Sequence, residues 1–417
     1  MEDFSISISK GRFGSFVTVP AGEVRILQLT DIQIIDSDQM RVPDRLCTRE
    51  RLKWTPDRVW DNAYRYVREA IDAAQPHLIV ITGDNVYGEF DDSGRQFRDF
   101  CDFFENLGIP WAPVFGNHDN ESDFGVSRQC AYLESLPSCL FMRGDATGNG
   151  NYAVTLGTDL RIRDDERSVP STDDKKSVPS AIRTLLMLDS HGCLTHPGIR
   201  ADQIELCRKA LEEVREQCGT LPPLFACYHI PSDEFLHAAA DAGYQGDSDY
   251  WAKYELGVTL PARNGDFGKR DDPQGRVGDN DAFLEFFKAS GGDGIFVGHY
   301  HKNCTSILSS GVRYTFGLKT GVYDYHNSDM IGSTLITLTG ENGGAPGENR
   351  GAHGENGGAS DENGGAHGET ADRPGFSVKH LYTRLKDDFW ARLERAGEQT
   401  ECEDIDREKV DIKEKVK

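Results

Sequence analysis

The stretch Gly116-Asn117-His118-Asp119 decides the architecture, because it places three polar side chains directly after an apolar run at residues 109–115. That run has the composition of a buried strand and ends at the glycine. An amide oxygen, an imidazole and a carboxylate then follow, and these groups bind metal ions or transfer protons. Taken alone, the tetrapeptide is more often an ordinary strand-to-loop turn. Whether it is such a turn or part of a functional site depends on the pattern in other segments of the chain.

Composition limits the classes of partner. The chain has 417 residues, 37% of them hydrophobic, which is enough for a substantial core. Its net charge of -23, from 46 basic and 69 acidic side chains, repels nucleic acid phosphates and argues against a duplex partner. A phosphorylated small molecule or a phosphoprotein is still a compatible substrate, because bound cations can reverse the local field.

Cysteine spacing and the N-terminus bear on the cellular compartment. The 10 cysteines include no Cys-x-x-Cys pair, which argues against a zinc ribbon or a disulfide framework and favours a reducing environment. Met1-Glu2-Asp3-Phe4-Ser5 does not begin a signal peptide. No apolar run reaches the roughly 20 residues needed to cross a bilayer. We therefore expect a cytoplasmic protein without membrane contact.

Four more apolar runs end in polar residues of the same kind. The additional candidates are Asp31, Gln33, Asp84, His229, His299 and His301. In an extended chain, residues two apart point the same way, so Asp31 and Gln33 can reach one point, as can His299 and His301. Strands alternate with helices over residues 25–115, which favours parallel strands whose following loops share one edge. Five coincident strand ends make an accidental pattern improbable.

The ligand chemistry indicates two metal ions. Carboxylate, amide and imidazole groups without a thiolate suit Mn, Fe or Zn. The number of candidates exceeds the needs of one tetrahedral site, and in two-metal sites the ions clamp both oxygens of an in-line displacement. One carboxylate should bridge the pair. Asp84, which follows a central strand, is the best candidate for that bridge.

In chain order, the motifs Asp-x-Gln, Gly-Asp-Asn, Gly-Asn-His-Asp, His and Gly-His-x-His resemble those of the calcineurin-like metallophosphoesterase superfamily. The resemblance covers residues 25–338, and Leu188-Asp189-Ser190 with His229-Ile230-Pro231 is similar to the fungal and plant soluble, single-domain branch related to purple acid phosphatases. It implies an α/β (α+β) fold, a two-sheet β-sandwich flanked by helices, with dinuclear-metal phosphoesterase architecture.

The resemblance also assigns roles. The first metal would be held by Asp31, Asp84 and His301, and the second by Asp84, Asn117, His229 and His299. His118 would contact the substrate phosphate or protonate the leaving oxygen, and Asp119 would orient His118. The implied activity is a phosphatase reaction in which a metal-bound hydroxide attacks a phosphate monoester. A phosphodiesterase or nucleotide pyrophosphatase is the alternative enzyme, and a catalytically decayed phospho-ligand binding protein is the non-enzymatic one.

Gln33 departs from the family pattern, in which most members have His. Some members that cleave nucleotide diphosphates carry Gln there as a ligand. Purple acid phosphatases instead use a Tyr in Gly-Asp-x-x-Tyr, which matches Gly83 to Tyr87, but they have Gly at the Gln33 position. Neither subgroup matches fully. We favour Gln33 as the ligand, and Tyr87 is equally well explained as a wall residue of the site.

Domain boundaries follow from composition. Residues 1–339 plus 373–385 are predicted to form one metallophosphoesterase domain, with helices at 96–107, 201–218 and 281–289. Residues 340–372 repeat Gly-Glu-Asn-Gly-Gly-Ala and are predicted to be a disordered low-complexity insertion. Residues 386–417 form a charged C-terminal tail. The irregular segment 233–280 is predicted to cover the substrate.

Overall fold

The computed structural model describes residues 6–36, 38, 63–158, 180–192, 196–242, 258–259, 265–270, 280–322, 324–327, 330–339, 370–373 and 375–383. Its strands, in chain order, are β1 (Ser7–Lys10), β2 (Gly14–Thr18), β3 (Val24–Leu29), β4 (Leu78–Thr82), β5 (Trp111–Val114), β6 (Tyr152–Thr158), β7 (Ser180–Met187), β8 (Leu224–Cys227), β9 (Val258–Thr259), β10 (Lys269–Arg270), β11 (Gly292–Val297), β12 (Ser306–Ser309), β13 (Val312–Phe316), β14 (Gly332–Leu338), β15 (Thr370–Arg373) and β16 (Phe376–Tyr382).

The first sheet has the strand order β15-β16-β14-β3-β4-β5. Its strands β3, β4 and β5 are parallel, with Ile26 opposite Leu78 and Ile79 opposite Trp111. This arrangement confirms the parallel pairing that the alternation of strands and helices predicts. Strand β14 joins β3 on the other side in the antiparallel sense. The loops that follow β3, β4 and β5 therefore leave the sheet at one edge.

The second sheet has the order β1-β2-β6-β7-β8-β11-β13-β12. Its central strands β7, β8, β11 and β13 are parallel, and β12 closes one side as an antiparallel edge strand. Strands β8 and β11 are buried over the length of their apolar residues, as expected for parallel strands covered on both faces. Strands β9 and β10 form a separate antiparallel pair.

The two sheets pack face to face. The ring of Phe225 in the second sheet lies 4.8 Å from the ring of Phe376 in the first sheet. The buried guanidinium of Arg183 lies over both rings, 4.1 Å and 5.3 Å from their centroids. Gln28 Nε2 crosses the interface to donate to the Val297 carbonyl at 3.0 Å. These contacts, with the helices outside, confirm the predicted two-sheet sandwich.

Helices cover the outer faces of the sandwich. In the described part of the chain they are α1 (Arg65–Ala74), α2 (Arg95–Glu105), α3 (Val126–Glu134), α4 (Ala201–Cys218), α5 (Glu234–Asp241) and α6 (Asp281–Ala289). Helix α1 packs on β3 and β14 of the first sheet, whereas α4 and α6 pack on the second sheet and on each other. The bounds of α4 and α6 match those predicted. Helices α3 and α5 were not predicted.

Several predicted segments lie partly or wholly outside the residues that the structure describes. Strand β15 includes residues 370–372, the last three of the predicted insertion. The rest of that insertion, the tail at 386–417 and most of segment 233–280 lie outside the described residues. The seven described cysteines are buried. Among the described residues, no helix has the length and apolar character to cross a bilayer.

We expect Phe225→Ala to lower the free energy of unfolding by about 3–5 kcal/mol, because the ring fills the space between the sheets and its loss leaves a cavity. Urea unfolding followed by circular dichroism measures the change. Glu212→Ala, on the exposed face of α4, is the control and should shift stability by no more than about 0.5 kcal/mol. Similar effects from both substitutions would contradict a core at this interface.

Candidate metal centre

The candidate residues follow five strands that end at a common edge of the sandwich. Asp31, Asp84 and Asn117 come after β3, β4 and β5 of the first sheet, whereas His229 and the pair His299 and His301 come after β8 and β11 of the second. Ligands of parallel sheets bind at this carboxyl end of the strands. The structure brings all of these positions into one network of contacts.

Asp31 joins the two sheets. Its Oδ2 accepts hydrogen bonds from Thr30 Oγ1 at 2.7 Å and from the His299 backbone N at 3.1 Å. Its Oδ1 lies 3.3 Å from Nε2 of His301. The carboxylate is fully buried, so these donors replace the water that would otherwise solvate it. A carboxylate from the first sheet is thereby held against two histidines of the second.

Asp84 lies at the centre of the cluster. Its Oδ1 accepts a hydrogen bond from the His118 backbone N at 2.9 Å. Its Oδ2 lies 3.3 Å from His229 Nε2 and 3.3 Å from Gln33 Nε2. The carboxylate therefore contacts residues of three other strand ends, which is the position expected of a group shared between two sites.

The histidine rings are anchored through one nitrogen. His229 Nδ1 lies 2.8 Å from the Thr82 carbonyl, and His301 Nδ1 lies 2.9 Å from the Tyr325 carbonyl. Each carbonyl accepts a hydrogen bond from Nδ1, so Nε2 is the ring nitrogen directed at the cluster, as in metal-binding histidines. His229 Nε2 also lies 3.2 Å from Asn117 Oδ1. The imidazole and amide groups thus converge with the carboxylates.

Local backbone geometry requires small residues beside the ligands. A Cβ on Gly116 would lie 2.1 Å from Asp84 Oδ1, and a Cβ on Gly298 would lie 2.6 Å from Asp31 Oδ2. Side chains there would displace the carboxylates. Left-handed φ angles occur at four candidates, namely Asp31 (51°), Gln33 (51°), Asp84 (50°) and His299 (75°). Such angles are uncommon outside glycine and cluster at functional sites.

Charges within the cluster set its protonation. Burial opposes ionisation of Asp31, but the hydrogen bond from His301 and the charge of His229 outweigh it and hold the pKa of the carboxyl well below its usual range. Asp84 behaves in the same way beside His229. Burial alone would lower the pKa of His229, yet Asp84 raises that pKa to about 9. Burial and the charge of His229 lower the pKa of His299 to about 3.

The donor set fits a metal cation. Oxygen atoms of Asp31 and Asp84 and a nitrogen of His301 all lie within 4.8 Å of one another, and all three residues are buried. Two ionised carboxylates without a cation between them would be costly at this depth, since each repels the other in a medium of low dielectric. Carboxylate oxygen and imidazole nitrogen are ligands for Mn, Fe or Zn. These three residues could therefore hold a metal ion.

The contacts of the Asp119 carboxylate differ from those expected of a group that orients the His118 ring. Its carboxylate accepts hydrogen bonds from the backbone N of Gly116 at 2.7 Å and of Val86 at 3.0 Å, so it joins the loops after β4 and β5. Burial raises the pKa of Asp119 to about 7. The group that contacts the His118 ring is Glu121, whose Oε2 lies 2.8 Å from Nδ1. Asp119 therefore positions the backbone, and Glu121 orients the imidazole.

Lys319 was not predicted as a site residue. Its Nζ is buried, donates to the Asp31 carbonyl at 2.9 Å and also donates to Oε1 of Gln33. Burial lowers the pKa of this ammonium, although Asp31 opposes the shift. The flanking glycines Gly317 and Gly321 are the one sequence signal that could have indicated a tight turn here. Glu121 was missed too, although its spacing of three from His118 is visible in the sequence.

The alternative ligand Tyr87 forms part of the wall. Its ring centroid lies 4.2 Å from that of His118 and 5.0 Å from that of Phe90. The side chain is almost fully buried. These contacts correspond to the role of a wall residue that limits how far the His118 ring can turn.

Comparison with known proteins identifies the family of the chain. The family model described as calcineurin-like phosphoesterase matches residues 24–303. A protein named probable inactive purple acid phosphatase 29 of Arabidopsis thaliana is 23% identical over 327 residues, which cover 73% of each chain. Phosphatase DCR2 of Saccharomyces cerevisiae is 25% identical over 261 residues, which cover 58% of this chain and 40% of that protein.

Solved structures show a more distant likeness. The purple acid phosphatase PPD1 from yellow lupin seeds superposes over 78% of this chain and 51% of its own, with 12% identity and a TM-score of 0.38. The NAD nucleotidase of Haemophilus influenzae covers 76% of this chain and 48% of its own, with 11% identity and a TM-score of 0.31.

We expect Asp84→Asn to remove at least one metal equivalent from the purified protein, because the charged carboxylate at the centre of the cluster is lost while its shape is kept. Metal analysis after loading with Mn measures the change. Asp91→Asn is a matched control, since Asp91 is a buried carboxylate that accepts from two backbone N–H groups at the start of α2. Equal metal content in both variants would exclude Asp84 as a ligand.

Proposed function

Because the chain belongs to the calcineurin-like phosphoesterase family, we propose that it is a metal-dependent phosphatase that hydrolyses phosphate monoesters. The observation that supports this proposal most directly is the buried triad of Asp31, Asp84 and His301, whose ligand atoms lie within 4.8 Å of one another. Phosphoryl transfer needs little covalent chemistry from the protein and depends mainly on positioning and charge. A cluster of this kind supplies both.

Seven residues were predicted to hold two ions, and six of them are ligands in this proposal. The first ion would be held by Asp31, Asp84 and His301, and the second by Asp84, Asn117, His229 and His299. When bound, the ions, of Mn, Fe or Zn, neutralise charge on the phosphoryl oxygens and activate a water for attack on phosphorus. The chain itself supplies the anchoring carbonyls behind His229 and His301, which keep each Nε2 directed at the cluster.

His118 is the proposed general acid. Its backbone N donates to Asp84, so the position of His118 is coupled to that of the central carboxylate. Glu121 accepts a hydrogen bond from Nδ1 and fixes the ring orientation, so Nε2 of the protonated ring is the group that would donate a proton to the leaving oxygen. Burial alone would lower the pKa of His118, but Asp84 and Glu121 raise it and favour the protonated ring.

We expect His118→Ala to lower kcat by about a hundredfold or more, since positioned general acids contribute at least that much. Metal content should change little, because Asn117 and Asp84 are left in place. Hydrolysis of an aryl phosphate with added Mn, measured beside metal analysis, tests both statements. Unchanged turnover would remove His118 from the reaction.

Glu121→Gln should lower kcat in the same assay, but by less than His118→Ala, because the neutral amide still fills the space beside the ring. Glu121 should have no further effect once His118 is absent, so His118→Ala and the double variant should have the same kcat. Additive losses would show that Glu121 acts on something other than the His118 ring.

The substrate class is tested by comparing a phosphate monoester, a phosphodiester and a nucleotide diphosphate under the same metal loading. We expect the monoester to have the largest kcat/KM. A larger value for the diester or the nucleotide diphosphate would favour the phosphodiesterase or pyrophosphatase alternative.

A second candidate function is phospho-ligand binding without catalysis. Two observations favour it: the name of the Arabidopsis relative includes the word inactive, and the Lys319 ammonium lies within the candidate site. Mn-dependent binding of inorganic phosphate without turnover of any of the three esters would support this alternative over the phosphatase.

A further inference from the structure

The Gln33 amide lies between two groups of opposite hydrogen-bonding character. On one side the Lys319 ammonium donates to Oε1, and on the other side Nε2 donates to Asp84 Oδ2 at 3.3 Å. An ammonium can only donate and an ionised carboxylate can only accept. If the amide were flipped, its N–H groups would face the ammonium and its oxygen would face the carboxylate. The two neighbours therefore select one orientation.

That orientation removes the ligand atom from the cluster. An amide binds a cation through its oxygen, and the oxygen of Gln33 is directed to Lys319. The amide nitrogen, which cannot bind a cation, is the atom that faces Asp84. Gln33 thus serves the bridging carboxylate as a hydrogen-bond donor.

Lys319 is firmly held in this position. The backbone N of Thr320 donates to the Thr30 carbonyl at 2.9 Å, and Lys319 Nζ donates to the Asp31 carbonyl at 2.9 Å. A Cβ on Gly321 would lie 2.0 Å from the Ile32 carbonyl oxygen, so the segment packs closely against the loop after β3. Lys319 is only 1% exposed, so its ammonium group cannot turn toward solvent. Its charge must be balanced within the cluster.

We propose that Gln33 is not a metal ligand, and that Lys319 holds its amide so that the first ion position has only Asp31, Asp84 and His301. The second position keeps four ligands, namely Asp84, Asn117, His229 and His299. Three ligands and a neighbouring ammonium make the first position the weaker one, since the positive charge of Lys319 repels a cation. This inference rests on the metal centre of the proposed function and predicts two unequal affinities.

To test this proposal, the full chain is first stripped of metal with a chelator. It is then titrated with Mn²⁺ alone in an isothermal calorimeter, and metal analysis gives the number of ions bound. We expect the two ions to bind with affinities that differ on the order of tenfold or more. Lys319→Met, which keeps the length of the side chain and removes its charge, should tighten the weaker position by a similar factor. Lys288→Met removes the same charge from the exposed face of α6, a helix that contains no candidate ligand, and should leave both affinities unchanged.

Gln33→Met provides a test that does not depend on how Lys319→Met folds. The proposal predicts that Gln33→Met keeps both Mn²⁺ equivalents. Loss of one equivalent would make Gln33 a ligand and overturn the proposal, as would two equal affinities in the unchanged protein. Gln33→His combined with Lys319→Met adds an imidazole without a competing ammonium, and it should tighten the weaker position further than Lys319→Met alone.

Ester hydrolysis measured on the same samples separates the two proposals. Hydrolysis by a protein with two equal affinities would overturn the role of Lys319 and leave the proposed function in place. Two unequal affinities without hydrolysis of any phosphate ester would support the role of Lys319 and overturn the phosphatase assignment. Absence of Mn²⁺ binding would overturn both.

Discussion

The hydrogen bond from the His299 backbone to the Asp31 carboxylate is the contact on which the site depends. It joins the end of β11 in the second sheet to the end of β3 in the first, and Gly298 makes the approach possible by having no side chain. A second contact between the sheets lies deeper in the core, where the Gln28 amide donates a hydrogen bond to the Val297 carbonyl. These contacts hold the ends of β3 and β11 next to each other, so that ligand candidates from the two sheets can share one pocket.

Much of this arrangement is predictable from sequence because it follows from local patterns. Apolar runs that end in glycine and polar residues locate the strand ends, and the alternation with helices predicts that β3, β4 and β5 are parallel. Lys319 could not be predicted, since its partner Gln33 lies 286 positions away and nothing local marks the pairing. The roles of Asp119 and Glu121 depend on which carboxylate contacts the His118 ring. Backbone N–H groups of two loops donate to the Asp119 carboxylate and hold it away from the ring, and local sequence does not predict these hydrogen bonds.

Family membership and activity are separate conclusions here. The family follows from the match over residues 24–303, which spans the whole series of strand ends. Activity depends on a few atoms within that series, because replacing one ligand side chain changes how a cation is held without disturbing the sheets. In our proposal, Gln33 and Lys319 are such a local change. They are buried and satisfied by hydrogen bonds, so the fold accommodates them at little cost.

The left-handed backbone at Asp31, Gln33, Asp84 and His299 has an evolutionary consequence. Asparagine and aspartate tolerate such angles better than most residues, so a substitution of Asn for Asp31 or Asp84 preserves the shape of the side chain and removes its charge. Descendants of a chain like this one can therefore lose chemistry in single steps and persist as stable, recognisable folds.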